Sequence, residues 1–162
     1  MMSAMDFRHE LTYDAPPDEV FAMLADPAFR EDVCAYQKVL RATATVETEG
    51  GTTTVVVDQV QPADGIPSFA KKFVGEEIHI VQREDWSSPT AADLQVTIPG
   101  KPGEMAGRIR LTDSGGTTTE TVEVSIRVRI PLVGGRIEGL IADLLRKALR
   151  AEEKVGNAYL SR

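Results

Sequence analysis

The chain has 162 residues, of which 42% are hydrophobic, and it carries 18 Lys and Arg against 25 Asp and Glu. This size and composition are typical of one globular domain, so we expect residues 1–162 to form a single domain with its own core. The formal charge of −7 argues against nucleic acid as a partner, and no apolar run reaches the roughly 20 residues that an integral membrane helix needs.

The first predicted elements are a strand and two short helices. Residues 7–13 alternate between apolar and polar side chains, which is the pattern of a half-buried strand. Pro17 and the two acidic residues after it predict a helix start, because the first helical turn tolerates proline and favours negative charge. Asp26 and Pro27 repeat this signal, so we expect a second short helix that ends near Tyr36.

Strands dominate the middle of the chain. Two adjacent glycines at 50 and 51 predict a hairpin turn, and the segments on either side alternate with period two. The strands are expected at 39–48, 52–60, 76–86, 91–98, 108–112 and 118–130.

The period changes to that of a helix after Gly134 and Gly135. Apolar residues from Ile137 to Leu149 form a wide stripe, which Val155 and Tyr159 continue. We expect a helix of about 25 residues, roughly 37 Å long, which reaches across a small domain.

This order, β-α-α followed by about six strands and one long helix, indicates the α+β class. The apolar face of a curved antiparallel sheet and the apolar stripe of the last helix must bury each other. Ordinary side chains do not fill such a grip completely, and the small residues Ala42, Ala44 and Ala92 on the inward rows widen the expected gap. We therefore predict a hollow apolar interior.

Several segments resemble known proteins. The opening strand with residues 15–21 and 24–29, together with the long final helix, is similar to the START-like (SRPBCC) superfamily of helix-grip proteins, which includes polyketide cyclases, lipid-transfer domains and relatives of plant pollen allergens. Residues 66–75, 78–86 and 130–138 resemble the uncharacterised bacterial family DUF2505 within it. The resemblance implies a sheet wrapped around the C-terminal helix and a cavity for hydrophobic or amphipathic ligands. It supplies no catalytic residue set.

The predicted ligand-binding residues are those on the inward rows of the strands, on the apolar stripe of the last helix and in the segment 62–75. They are Phe7, His9, Leu11, Ala42, Ala44, Val57, Gln59, Phe69, Phe73, Ile80, Gln82, Val96, Ile109, Ile126, Ile137, Ile141 and Leu144.

The polar residues on these rows allow two interpretations each. His9 is either a polar anchor or general base in the cavity, or a hydrogen-bonded interior histidine, whereas His79 alternates with isoleucines and should point outward. Gln59 and Gln82 either orient a ligand or are carried to solvent by strand twist. Glu84 lies near them, and because a lone buried carboxylate is costly we expect it to be exposed.

Residues 62–75 interrupt the strands. The segment combines Ile66, Phe69 and Phe73 with two lysines, and a helical turn or two over 68–74 would put both phenylalanines on one side. It is either a lid over the cavity mouth, with lysines able to meet an anionic group, or a packed connector.

Three functional hypotheses follow. The first is a non-enzymatic binder or carrier of a hydrophobic small molecule. The second is a cyclase-like or hydrolase-like enzyme that uses His9, Tyr13 or Glu84 as acid-base groups, and the third is a protein-interaction module. We favour the binder, since the sequence has no phosphate-binding loop, nucleophile elbow or cluster of metal ligands. We accordingly predict no cofactor, no metal and no catalytic residues, and leave the oligomeric state open.

The single cysteine limits the remaining possibilities. Cys34 alone excludes intramolecular disulfides and cysteine-cluster metal sites, favours a reducing cytoplasm, and is expected to be an inert packed thiol. Residues 1–10 contain no apolar stretch of the signal-peptide type, so we do not expect export.

Overall fold

The computed structural model describes residues 4–162 and contains one continuous antiparallel sheet. Its elements are β1 (Met5–Tyr13), α1 (Pro17–Leu24), α2 (Pro27–Tyr36), β2 (Arg41–Glu49), β3 (Thr52–Pro62), α3 (Ser68–Val74), β4 (Glu77–Ser88), β5 (Ala91–Thr97), β6 (Gly103–Ser114), β7 (Thr117–Val128) and α4 (Gly134–Leu160). The seven strands are ordered β1-β7-β6-β5-β4-β3-β2. The predicted α+β order is confirmed, with α3 as a short insertion between β3 and β4.

The helix starts follow the local chemistry that the sequence indicated. α1 has Pro17 at its first position and acidic residues in its first turn. The side chain of Asp26 caps α2 by accepting a hydrogen bond from the backbone N–H of Ala28 at 3.0 Å. Both helices therefore begin where the proline and aspartate signals placed them.

The strand bounds differ from the predicted ones by at most two residues at either end, except at the start of β6. β6 begins at Gly103 rather than near residue 108, because Met105 continues its inward row and pairs with Ile126 of β7. β7 ends at Val128, two residues earlier than predicted.

One glycine allows the sheet to bend sharply. Gly107 of β6 lies opposite Val124 of β7, and a Cβ atom on it would lie 1.8 Å from the backbone oxygen of Glu123. Any side chain at this position would therefore force the two strands apart. The close approach supports the curvature with which the sheet surrounds α4.

α4 crosses the concave face and is fastened to one side of the sheet. Near its start, Glu138 accepts a hydrogen bond from the backbone N–H of Val128 at 2.8 Å. Near its end, Glu153 accepts from the N–H of Thr12 at 2.7 Å, and Asn157 accepts from the N–H of Asp14 at 3.1 Å. α4 therefore packs against β1 and β7, which lie at one side of the sheet.

Among residues 4–162, no helix combines the length and the apolar character that crossing a membrane requires.

Candidate apolar binding site

A chamber lies between α4, strands β3 to β6 and α3. Its free volume is about 750 Å³ when the part open to solvent is counted, and the centres of water-sized molecules fit within about 80 Å³ of it. The smaller volume counts only the positions of the centres, and the larger one counts all space between the atoms. We call this space the first chamber. Its walls are Gln59, Gln61, Ile66, Ala70, Phe73, Val74, Ile78, Ile80, Gln82, Val96, Ile98, Met105, Ile137, Leu140, Ile141, Leu144, Leu145 and Ala148.

The first chamber is apolar because the helices and strands around it turn their regularly spaced apolar residues toward it. On α4, Ile137, Leu140, Ile141 and Leu144 recur at helical spacing and face the strands. Ile137 and Ile141 are buried, whereas Leu140 and Leu144 are half-buried and lie nearer the opening. The polar groups on the wall are the amides of three glutamines, so the site offers hydrogen bonds but no formal charge.

α3 forms one wall of the first chamber. Ala70 and Phe73 of this helix are buried against it, and α3 covers the residues 68–74 for which the sequence allowed a helical turn or two. Phe69 lies one turn before Phe73, is half-buried, and does not line the first chamber. The guanidinium of Arg136 lies over its ring at 4.1 Å from the centroid. The two lysines of α3 are exposed.

A second chamber adjoins the first one. Both are lined by Gln59, Gln82, Leu145 and Ala148, and the free volume of the second is about 450 Å³ with its opening included. Two helix faces complete it, each with the spacing i, i+3, i+4, i+7. The face of α2 contributes Arg30, Val33, Cys34 and Gln37, and the face of α4 contributes Leu145, Ala148, Leu149 and Glu152.

Charged side chains lie at the inner end of the second chamber. Arg30 is 6% exposed, and its Nη2 donates to Oε1 of Glu84 at 2.6 Å while its Nε donates to the backbone oxygen of Leu24 at 2.7 Å. Glu84 also accepts from the indole N–H of Trp86 at 3.0 Å and from the amide of Gln82 at 2.6 Å. A carboxylate with this many donors is satisfied although it is buried.

Two further carboxyls and a tyrosine complete what we call the polar cluster: Arg30, Glu84, Glu120, Glu152 and Tyr13. Burial raises the pKa of Glu120 well above its ordinary value, and the neighbouring charge of Glu152 adds to this. Burial also raises the pKa of Glu152, although Arg30 opposes the effect. The two carboxyls are neighbours, and the raised pKa of each favours its protonated form.

Among the buried side-chain atoms of residues 4–162, Tyr13 Oη, Glu120 Oε1 and Glu152 Oε2 lack a hydrogen-bond partner. Carboxylate oxygens only accept, so Glu120 and Glu152 can bond to each other only when one of them is protonated. Burial likewise raises the pKa of Tyr13 and keeps its hydroxyl protonated.

The structure brings some of the predicted site residues together at the chambers. The first chamber is lined by Gln59, Phe73, Ile80, Gln82, Val96, Ile137, Ile141 and Leu144, and the second by Val57. Contact with a ligand remains a prediction for each of them.

The other predicted site residues lie away from both chambers. Phe7, Leu11, Ala44, Ile109 and Ile126 are buried in the packed core, and Phe69 lies beside Arg136. Ala42 lies in an open groove with Arg41 and Asp58. His9 is half-buried under α4, stacked on Phe7 at 6.3 Å, and burial lowers its pKa.

The expected gap at the small residues is filled. Ala44 lies under α2, where its N–H donates to Glu31 at 3.0 Å. Ala92 pairs with Trp86, whose ring packs edge-on against Phe21 of α1. Large aromatic side chains and two helices therefore occupy the space that the alanines leave.

The expectation that Glu84 is exposed is wrong, because Arg30 from α2 compensates its charge. The sequence interpretation missed Arg30, Glu120 and Glu152, although each lies on an apolar row. Arg30 shares its helix face with Val33 and Cys34, and Glu120 stands two residues before Val122 on the inward row of β7. A charge on such a row is the signal that could have revealed the cluster.

Two expectations about single residues hold. His79 points outward and bonds to Asp58 at 2.8 Å. Cys34 is buried, and burial raises the pKa of its thiol to about 11, which makes it unreactive at neutral pH.

The comparisons with known proteins settle the family. The sequence profile of the family described as "Protein of unknown function (DUF2505)" matches residues 8–160. The chain belongs to the DUF2505 family. Uncharacterized protein Rv0481c of Mycobacterium tuberculosis is 25% identical to this DUF2505 chain over 120 residues, which cover 70% of the chain and 68% of the relative.

Solved structures identify the fold of this DUF2505 protein. TTHA0849 from Thermus thermophilus superposes with a TM-score of 0.66 at 19% identity, over 96% of this chain and 99% of that one. The Zhui aromatase/cyclase from Streptomyces sp. R1128 superposes with a TM-score of 0.65 at 16% identity, over 98% and 94%. The DUF2505 chain therefore has the helix-grip fold, as its sequence predicted.

Proposed function

We propose that this DUF2505 protein binds, and carries, a hydrophobic or amphipathic small molecule in the first chamber. The observation that carries the proposal is the chamber itself. Its walls are apolar side chains with three glutamine amides, which is the lining typical of small-molecule sites, and the centres of water-sized molecules have about 80 Å³ inside it.

The cost of an unfilled chamber supports the same conclusion. Side chains that face an empty space lose the dispersion contacts that a packed core would give them. Half-buried leucines such as Leu140 and Leu144 also expose apolar surface to the opening. An apolar occupant restores these contacts and removes that surface from water, so binding is favourable without any charged recognition.

Binding is preferred to the acid-base enzyme hypothesis because the proposed catalytic groups do not meet in a cavity. His9 lies under α4, away from the residues that line either chamber. Glu84 is engaged by Arg30, Trp86 and Gln82, and Tyr13 is buried with its hydroxyl protonated. General acid-base catalysis needs such groups within reach of one bound substrate.

The test uses the purified full chain and a neutral fluorescent apolar probe, N-phenyl-1-naphthylamine. We expect saturable fluorescence enhancement and, in native mass spectrometry or solvent extraction, a co-purifying apolar molecule. Leu144→Trp places a large ring at the first chamber and should lower probe affinity at least ten-fold. Ala158→Trp adds the same ring at an exposed position of α4 and serves as the matched control. Equal probe binding by both variants, or none by the wild type, would overturn the proposal.

A further inference from the structure

The second chamber differs from the first one in the chemistry of its inner wall. Arg30 is 6% exposed and Glu152 is 6% exposed, yet both line the chamber. The hydrogen bonds of Arg30 use Nε and Nη2, whereas its Nη1 lies 3.7 Å from Oε1 of Glu152, beyond hydrogen-bonding distance. Nη1 has no hydrogen bond to residues 4–162 and is not among their fully buried atoms, so its N–H groups are open to an acceptor in the second chamber.

The two chambers are adjacent and have wall residues in common. Leu145 and Ala148 of α4 and the amides of Gln59 and Gln82 line both of them. One of these amides also touches the polar cluster, because Gln82 donates to Glu84. A molecule whose apolar body lies in the first chamber would have to pass between these shared side chains to present one end to Arg30 and Glu152.

The charges around that end decide which chemical group fits. Arg30 brings one positive charge, and Glu84, Glu120 and Glu152 are three carboxyls around it. A ligand carboxylate would add a further negative charge beside them, which low polarity makes costly. A ligand ammonium would approach the guanidinium and would offer Nη1 no acceptor. A hydroxyl accepts from Nη1 and donates to a carboxyl oxygen, and it adds no charge.

We propose that the second chamber is the head-group subsite for a neutral, hydroxyl-terminated amphiphile, with Nη1 of Arg30 donating to the ligand oxygen and Glu152 accepting from its hydroxyl. This inference rests on the proposed function, since it assigns the apolar body of the same ligand to the first chamber. Beyond the proposed function, it assigns the chemical class of the ligand and the orientation of the ligand, with its hydroxyl end in the second chamber.

A chain-matched series tests the head-group preference by displacement of N-phenyl-1-naphthylamine at pH 7. The competitors are dodecan-1-ol, dodecanoate, dodecylammonium and dodecane. We expect dodecan-1-ol to bind at least roughly ten-fold more tightly than each of the others, since hydrogen bonds to buried charged groups discriminate strongly. Equal affinity for the alcohol and the alkane, or tighter binding of dodecanoate or dodecylammonium, would overturn the inference while leaving apolar binding intact.

Two tryptophan variants separate the chambers. Leu149 lines the second chamber and Leu144 lines the first. Leu149→Trp should remove the preference for the alcohol and keep binding of the neutral probe, whereas Leu144→Trp should weaken both. If Leu149→Trp retains the alcohol preference, the subsite is wrong. If Leu144→Trp changes nothing, the proposed function fails instead.

Cys34 gives a readout on the wild-type protein. Its thiol lines the second chamber and is the only cysteine, so a small thiol reagent such as methyl methanethiosulfonate reports on this space alone. Saturating dodecan-1-ol should slow the modification of Cys34 at least five-fold at pH 8.5, and saturating dodecane should leave it nearly unchanged. The same rate with and without the alcohol would contradict the proposed orientation even if the variants do not fold.

Discussion

The two ends of the space between α4 and the sheet are built from the same elements but filled differently. At the end near Tyr13, helices α1 and α2 pack over the sheet, and Leu11, Met23 and Trp86 are fully buried there. At the other end, α3 is the covering helix and has only seven residues. The space is therefore packed beneath α1, whereas a chamber remains beside α2 and another beside α3.

The largest effect is expected from removing Arg30, the buried cation of the polar cluster. Arg30→Met leaves the carboxylate of Glu84 and the carboxyl of Glu152 without their positive partner. Breaking a buried ion pair in this way costs about 3–5 kcal/mol of unfolding free energy. Urea denaturation followed by circular dichroism measures the change.

The matched control for Arg30→Met is Arg83→Met, which removes an arginine from the exposed pair with Asp85. Solvent screens that pair, so the midpoint of unfolding should stay nearly unchanged. Similar losses in both variants would show that the polar cluster does not depend on burial.

The next largest effect is expected when a leucine is truncated to alanine at the packed end rather than at the first chamber. Leu11→Ala removes a fully buried side chain from the packed end and should cost about 2–5 kcal/mol. Leu144→Ala removes a half-buried side chain that already faces open space, so the loss should be roughly 1 kcal/mol. Denaturant unfolding of both variants tests the difference, and equal losses would mean that the first chamber is closed in solution.

A smaller effect is expected when either of two glycines of α4 is replaced by alanine. A Cβ atom on Gly156 would lie 2.6 Å from Cε1 of Tyr13, so Gly156→Ala overpacks the closed end and should cost about 1–3 kcal/mol. Gly139 has room, with its nearest neighbour at 3.8 Å, and Gly139→Ala should gain about 0.5–1 kcal/mol from helix propensity. Thermal unfolding measures both shifts. A gain in both variants would refute tight packing at Tyr13.

The smallest expected effect is the pH dependence contributed by Glu120. Its pKa is raised above the ordinary 4.5 by burial, so the folded protein holds this proton more tightly than the unfolded chain. The stabilisation is complete below pH 4.5 and is lost as pH rises through the folded-state pKa. Glu120→Gln should reduce this decline of the unfolding free energy with pH. Between pH 5 and 8 the variant should therefore become more stable relative to the wild type. Unchanged slopes in urea unfolding at several pH values would contradict a buried proton.

Most of the fold could be predicted from the sequence because its signals are local. The capping pair of Asp26 and Pro27, the alternation of strands and the stripe on α4 each depend on residues a few positions apart. The polar cluster could not be predicted in the same way. Glu84 is buried only because Arg30, 54 residues earlier, reaches it, and period alone does not show which strand lies beneath α2.

The candidate site was predictable in part for a related reason. Residues such as Ile80 and Val96 line the first chamber because they lie on the inward-facing sides of their strands. The alternation of apolar and polar residues in the sequence shows which side faces inward. Phe7 and Ile126 lie on inward-facing sides of strands with equally regular alternation, but they lie against α4 where it packs on β1 and β7. Only the position of α4 across the sheet separates the two groups, and that position depends on long-range contacts such as the one between Glu138 and Val128.

The hydrogen bonds that hold α4 near both of its ends affect where a ligand could enter the first chamber. Side chains near each end hold the backbone of β1 or β7, and those to β1 also occupy part of the free edge of that outermost strand. Swinging the long helix outward would break all of these bonds together. These bonds lie on the β1 and β7 side, so we expect a ligand of the first chamber to enter at the opposite flank, beside α3, while α4 keeps its position.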